Sequence, residues 1–141
     1  MKMTLYVESS ALSAILLEGD DRVAAEIKMA SEGIVTSVLT LLETRVALRR
    51  AAAECRIDRS AFKTADKQLI AFRDRANLLD MDDRVLKDAE KPFPVEPIRT
   101  LDAIHLATIR LWSGKYGPVA VASHDRCVRA NAVALGIRVV P

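Results

Sequence analysis

Four carboxylic acids lie where side chains from separate elements would meet at one edge of a sheet. Glu8 directly follows an apolar segment that predicts a strand, and Asp125 lies three residues beyond another such segment, residues 119–122. Glu43 falls on the apolar stripe of a predicted long helix, and Asp102 falls in the first turn of another. In open parallel α/β sheets, ligands bind beyond the carboxyl ends of the strands. The four acids are therefore candidates for one site.

Acids gathered at one point repel one another. At a separation of about 5 Å and an effective dielectric of about 20, each pair costs roughly 3 kcal/mol. A bound cation or raised pKa values must relieve this repulsion. Clustered carboxylates and water are the oxygen ligands that Mg²⁺ and Mn²⁺ prefer. The pattern predicts a divalent-metal site and metal-assisted attack of water on a phosphodiester.

Each acid also has a structural explanation. Asp102 would complement the positive end of its helix dipole, and Asp125 would cap a helix. Glu8 would equally serve as an acid in the first turn of a helix. Glu43 would need a buried ion pair with Arg45 or Arg99, because it shares a helical stripe with apolar residues, namely Val38, Leu39, Leu42 and Val46.

The elements that would position these acids alternate between short strands and longer helices, which predicts an α/β fold with a parallel sheet of four or five strands flanked by helices. Predicted strands cover residues 3–7, 34–36, 77–81, 119–122 and 137–140. Predicted helices cover residues 9–19, 21–30, 37–54, about 60–72, a short segment after 81, 100–113 and 125–135. Ser9, Ser10 and Thr100 have the chemistry of helix N-caps. Three prolines make residues 91–97 an extended loop.

The composition fits a single domain over residues 1–141, since 50% of the residues are hydrophobic and 28% charged, with a net charge of +2. This excludes a disordered chain. Cys55 and Cys127 form neither a disulfide framework nor a zinc-binding pair, which favours a reducing cytoplasm. The N-terminal segment reaches Glu8 too soon for a signal peptide, and no segment approaches the ~20 apolar residues of a membrane span. We expect a cytoplasmic protein without membrane contact.

Four motifs occur in order along the chain and carry a resemblance to a known family: Leu5-Tyr6-Val7-Glu8-Ser9-Ser10-Ala11-Leu12, Thr36-Ser37-Val38-Leu39-Thr40-Leu41-Leu42-Glu43, Ile98-Arg99-Thr100-Leu101-Asp102-Ala103-Ile104-His105-Leu106-Ala107, and Ser123-His124-Asp125 with Ala134-Leu135-Gly136-Ile137. The third motif is the most specific. Together the motifs resemble the PIN-domain ribonucleases, in particular the VapC-type toxins of bacterial toxin–antitoxin pairs. They span essentially the whole chain.

The resemblance implies a PIN-like three-layer fold and a divalent-metal-dependent endoribonuclease. Glu43, Asp102 and Asp125 would be its catalytic residues, and with Glu8 they would hold Mg²⁺ or Mn²⁺. Two serines, Ser9 and Ser123, would be supporting polar groups. The implied partners are an RNA substrate, a cognate antitoxin that covers the acidic groove and a second copy of the chain in a homodimer.

Glu8 departs from the resemblance, because the family has aspartate at this position. One extra methylene moves the carboxylate by about 1.5 Å, while Mg²⁺ tolerates little deviation from octahedral geometry. We expect Glu8→Asp to keep or raise cleavage. The departure also supports an alternative, a catalytically weak or silent PIN-type binding module. A phospho-acceptor domain of the receiver type is a more distant alternative, since no lysine follows Ala122 in residues 123–125.

Three further features have open interpretations. Five arginines downstream of Glu43 would either contact RNA phosphates or form a solvated helix face paired with acids, namely Arg45, Arg49, Arg50, Arg56 and Arg59. His105 is expected to pack or cap within its own helix, and His124 to be an exposed loop residue. Apolar residues of the helices between residues 38 and 72, with Leu12, Ile15 and Leu16, are candidates for a groove that accepts a partner helix.

Overall fold

A computed structural model describes residues 3–30 and 33–141. Residues 1 and 2 lie outside these ranges. They belong to the N-terminal segment that was considered above as a signal peptide. Five strands form one parallel sheet: β1 (Thr4–Val7), β2 (Ile34–Ser37), β3 (Asn77–Leu79), β4 (Val119–Ala122) and β5 (Arg138–Val139). Their order across the sheet is β3-β2-β1-β4-β5. The predicted parallel sheet of four or five strands is confirmed.

Seven helices of the described residues connect and cover the strands: α1 (Ser9–Glu18), α2 (Asp21–Met29), α3 (Val38–Ala53), α4 (Arg59–Arg75), α5 (Asp83–Ala89), α6 (Thr100–Tyr116) and α7 (Arg126–Ala134). In residues 3–30 and 33–141, no helix has the length and apolar character needed to cross a membrane.

The sheet separates two apolar layers because successive strand side chains point to opposite faces. Leu5 and Val7 of β1 pack with residues of α1, α3 and α4, such as Leu48. Tyr6, between them, belongs to the opposite layer with residues of α6 and α7, such as Leu106. The observed architecture is therefore helices, sheet and helices, which confirms the predicted α/β class.

Strand order decides where a site can form. The chain runs outward from β1 to β2 and β3, then crosses to the other side for β4 and β5, so the direction of the connections reverses between β1 and β4. Val7 at the end of β1 is in register with Ala122 at the end of β4. Such a switch point opens a crevice at the carboxyl ends of the two strands.

Several local expectations are wrong at the level of single residues. The N-cap of α1 is Glu8, whose side chain accepts a hydrogen bond from the backbone N of Ser10. The N-cap of α6 is Arg99, without a side-chain cap hydrogen bond, and Thr100 is the first helical residue. Leu42, assigned to the buried stripe of α3, is 60% exposed, because α3 packs its other side against α1 and α4.

Candidate functional site

Adjacent strands bring the first and last acids together. Glu8 follows β1 and Asp125 follows β4, and the backbone N of Glu8 donates to the Ala122 carbonyl at 3.0 Å. The Ser123 hydroxyl joins the two acids. It donates to Glu8 Oε1 at 2.5 Å and accepts from the backbone N of Asp125 at 3.0 Å. Ser123 is thus a supporting polar group of this edge of the sheet.

Glu8 is enclosed by donors and is only 3% exposed. Its Oε2 accepts from the Ser9 hydroxyl at 2.6 Å and the Ser10 backbone N at 2.8 Å, and its Oε1 accepts from the hydroxyls of Ser10 and Ser123, each at 2.5 Å. Burial alone would raise the pKa of Glu8. The nearby His105 ring and the three serine hydroxyls outweigh burial and hold this pKa below its usual value.

Glu43 finds a different partner from the two arginines expected. Its Oε1 lies 2.6 Å from Nε2 of His105 and accepts from the Ser9 hydroxyl at 3.0 Å. The Glu43 side chain is 26% exposed, so it lies at the boundary between the core and the open groove. Arg45 instead pairs with Asp66 across α3 and α4.

Arg99 bridges the remaining two acids. Its Nε donates to Asp102 Oδ2 at 3.3 Å, and its Nη2 donates to Asp125 Oδ2 at 3.2 Å. Burial, and then the charge of Asp125, raise the pKa of Asp102 despite the guanidinium. The Arg99 side chain is 81% exposed, so this counter-charge sits on the open side of the crevice. The structural role of Asp125 is also confirmed, since its Oδ1 caps α7 by accepting from the Val128 backbone N.

The four acids therefore form two adjoining groups. Within each of two sets, one ligand atom per residue lies within 4.8 Å of the others: Glu8, Glu43 and His105, and Asp102, Asp125 and Cys127. Contacts within hydrogen-bond distance link Glu43, Ser9, Glu8, Ser123 and Asp125 in sequence.

The donor set fits a hard divalent cation. The Ser9 hydroxyl lies within hydrogen-bond distance of both Glu8 and Glu43 but has one proton, so it satisfies one carboxylate at a time. Burial raises the pKa of the Cys127 thiol, which disfavours the thiolate that a soft metal would need. Carboxylate oxygens remain as the available donors, and these suit Mg²⁺ and Mn²⁺.

His105 is the residue whose place in the site the sequence interpretation missed. It contacts Glu43 and Tyr6 rather than capping α6. A signal was present, because Arg99, Asp102 and His105 recur every three residues and so share one face of a helix. His124 is exposed, as expected, and its Nε2 lies 2.8 Å from Asp20.

Known proteins share this sequence pattern and this fold. The model of the PIN domain family matches residues 5–139. No curated protein matches the sequence. The fold is similar to the VapBC2 complex of Rickettsia felis bound to a promoter DNA fragment, with a TM-score of 0.66, 8% identity and 97% of each chain covered.

Two other solved structures share the fold. FitAcB of Neisseria gonorrhoeae has a TM-score of 0.66 and 18% identity, with 97% of this chain and 96% of that chain covered. VapC20 of Mycobacterium tuberculosis, a toxin that cleaves the sarcin-ricin loop, has a TM-score of 0.62 and 21% identity, with 89% and 93% covered. Together with the match over residues 5–139, these findings show that the chain belongs to the PIN domain family.

Proposed function

We propose that this protein is a divalent-metal-dependent endoribonuclease that acts as the toxin of a toxin–antitoxin pair. The observation that carries the proposal is the position of the four acids at the crevice between β1 and β4 in two adjoining groups, Glu8 with Glu43 and Asp102 with Asp125. PIN domains are generally nucleases, and one structure with this fold is an RNA-cleaving toxin. The proposed compartment is the cytoplasm.

The proposed catalytic residues are Glu43, Asp102 and Asp125, whose carboxylates would hold Mg²⁺ or Mn²⁺. When bound, the cation would lower the pKa of a water molecule and stabilise charge on the scissile phosphate. Ser9 would help to orient the Glu43 carboxylate, while Ser123 holds the Glu8 carboxylate and the backbone N of Asp125. Arg99 neutralises Asp102 and Asp125, and the exposed side of its guanidinium would be available to a phosphate.

Asp102→Asn is the direct test of this chemistry. The change keeps the size of the side chain but removes one negative charge from the crevice, so we expect RNA cleavage to fall by at least about 100-fold. Purified protein should be assayed on a panel of structured RNAs with Mg²⁺, with Mn²⁺ and with EDTA. EDTA should abolish cleavage by the unmodified chain.

Asp82→Asn is the matched control. Asp82 caps α5 by accepting from the Val85 backbone N, and asparagine caps helices equally well, so the variant should cleave normally. Cleavage that persists in EDTA, or in Asp102→Asn, would contradict the proposed chemistry.

A silent binding module is the second candidate, and Glu8 favours it. Both oxygens of Glu8 already accept hydrogen bonds from Ser9, Ser10 and Ser123, so fewer of their lone pairs are available to a cation. A Mn²⁺ titration separates the candidates. A nuclease should bind Mn²⁺ and lose binding in Asp102→Asn, whereas a silent module should bind none.

The proposed protein partners are a cognate antitoxin and a second copy of the chain. An apolar groove runs between α3 and α4, where Leu42 and Ile70 are exposed. Leu12, a candidate for this groove from the sequence, instead lies in the core at 2% exposure. We propose that the antitoxin helix binds in the groove between α3 and α4. Co-purification of a neighbouring gene product with the chain tests this proposal. We expect Leu42→Glu to abolish the co-purification.

A further inference from the structure

Two buried polar side chains behind the acidic site have no role in the chemistry described so far. Tyr6 and His105 are both 0% exposed, and they come from different elements, β1 and α6. The Tyr6 hydroxyl lies 2.7 Å from His105 Nδ1, and His105 Nε2 lies 2.6 Å from Glu43 Oε1. The three side chains thus form a line from the centre of the sheet to the acidic groove.

The geometry fixes where the imidazole carries a proton. A carboxylate oxygen only accepts, so the His105 nitrogen that faces Glu43 at 2.6 Å must be the donor. Nδ1 then receives the Tyr6 hydroxyl proton. Burial raises the pKa of Tyr6, so the phenol keeps the proton that it donates.

The contact with His105 makes the two carboxylate oxygens of Glu43 unlike each other. Oε1 accepts from His105 Nε2 and from the Ser9 hydroxyl. Oε2 accepts no hydrogen bond from any other residue within the ranges 3–30 and 33–141. Because a carboxylate with one oxygen tied cannot rotate freely, Oε2 is held as the oxygen that remains open to the groove.

We propose that Tyr6 and His105 are positioning residues that hold the Glu43 carboxylate with Oε2 open for the divalent cation. The proposal rests on the proposed function, in which Glu43 holds that cation. His105 acts through Glu43 and does not touch the substrate, so its contribution appears first in metal affinity. Loss of a hydrogen bond behind a metal-binding side chain weakens metal affinity by about 10- to 100-fold.

The location of the proton can be measured without metal or substrate. Long-range ¹H–¹⁵N NMR of the imidazole in the unmodified chain should show a protonated His105 Nε2. In Tyr6→Phe the donor to Nδ1 is gone, but the Glu43 carboxylate still accepts from Nε2, so we expect Nε2 to stay protonated while the ¹⁵N shift of Nδ1 moves toward that of a nitrogen without a hydrogen bond. A bare Nε2 in the unmodified chain would overturn the proposal.

Metal affinity supplies the second measurement. Mn²⁺ binding, followed by calorimetry or by the electron paramagnetic resonance of free Mn²⁺, should weaken by about 10- to 100-fold in His105→Leu. His105→Gln can place an amide N–H near the position of Nε2, so it should recover most of the affinity. Tyr6→Phe should fall between His105→Leu and the unmodified chain.

Thr108→Val is the matched control for disturbance of α6. Thr108 is buried one turn further along the helix and donates only to the Ile104 carbonyl, at 2.7 Å, so its loss should leave Mn²⁺ affinity unchanged. Equal affinity in His105→Leu and the unmodified chain would overturn the positioning role alone. Absence of Mn²⁺ binding in the unmodified chain would instead overturn the proposed function. If His105→Leu does not fold, His105→Gln and the NMR measurement still decide the question.

Discussion

Glu8 illustrates how one methylene group changes the environment of a carboxylate. The longer side chain reaches the hydroxyls of Ser10 and Ser123 as well as that of Ser9, and these three groups hold it as a buried anion. Hydrogen bonds to a charged group contribute about 1.5–3 kcal/mol each when the group is buried. Glu8 is therefore both a proposed metal-binding acid and a structural link between β1 and β4.

Glu8→Asp should separate these two roles. An aspartate carboxylate lies about 1.5 Å further back and would bond less well to Ser10 and Ser123, so we expect a stability loss of about 1–2 kcal/mol. Its freed oxygen should keep or raise Mn²⁺-dependent cleavage. Thermal unfolding and cleavage assays measure the two effects.

The same substitution at Glu18, at the exposed end of α1, should change neither property. A sharp loss of cleavage in Glu8→Asp would show that the chemistry requires the length of glutamate.

The lowered pKa of Glu8 also predicts a pH dependence. In the folded state this pKa lies below its usual value of 4.5, so the charged carboxylate stabilises the fold above pH 4.5, and this contribution disappears as the pH falls through the lowered pKa. Asp102, with a raised pKa, acts in the opposite direction. The free energy of unfolding, measured with urea between about pH 3 and 6, should fall more steeply with decreasing pH in the unmodified chain than in Glu8→Gln. Parallel curves would contradict the assignment.

At the level of elements, α3 and α4 form a hairpin that leads away from the acidic site. Arg50 follows Glu43 by seven residues, which is about 20° short of two full turns and roughly 10.5 Å along the axis. Two of the five arginines are paired with acids, Arg45 with Asp66 and Arg56 with Glu54. The others are exposed without an ion pair in the part of the chain that the structure describes, namely Arg49, Arg50 and Arg59.

Exposed arginines without an ion pair among the described residues, near the proposed nuclease site, are suited to binding phosphates. We expect the triple variant Arg49→Gln, Arg50→Gln, Arg59→Gln to bind RNA more weakly. The slope of log affinity against log salt should fall by about 0.7 for each phosphate of a single strand that the variant no longer neutralises. Mn²⁺ affinity should not change, because none of the three arginines touches the acids.

Arg73→Gln is a suitable control, because Arg73 lies 14 residues beyond Arg59 on the same helix, about 21 Å away, and pairs with Asp74. A triple variant with the salt dependence of the unmodified chain would place the RNA elsewhere.

At the level of the whole molecule, the site couples folding to charge. The acids come from the β1–α1 connection, α3, α6 and the β4–α7 connection, so they meet only when the sheet and both helical layers have formed. Their mutual repulsion opposes folding. Among the described residues around the acids, Arg99 offsets it by pairing with Asp102 and Asp125, and hydrogen bonds from His105 and the serines offset it at Glu43 and Glu8. A cation that binds the folded chain alone should therefore stabilise the whole domain.

Mn²⁺ should raise the unfolding temperature of the protein. Binding at 100 times the dissociation constant adds about 2.7 kcal/mol, which corresponds to a rise on the order of 10 °C for a domain of this size. Differential scanning fluorimetry with Mn²⁺, and again after EDTA, measures the effect. Asp102→Asn should show a much smaller rise. An equal rise in both proteins would indicate that Mn²⁺ binds outside the crevice.

The sequence by itself determined the order of strands and helices and the α/β class, and it singled out the four acids that we propose as the site. These follow from local periodicity and short motifs, such as the apolar run 119–122 followed by Asp125. Only the tertiary structure decided the partners of each acid. Glu43 meets His105 across 62 residues and His105 meets Tyr6 across 99, and no local pattern encodes such pairs, because they depend on how separate elements pack. Tertiary packing also decided the exposure of Leu42, because α3 packs its other side against α1 and α4.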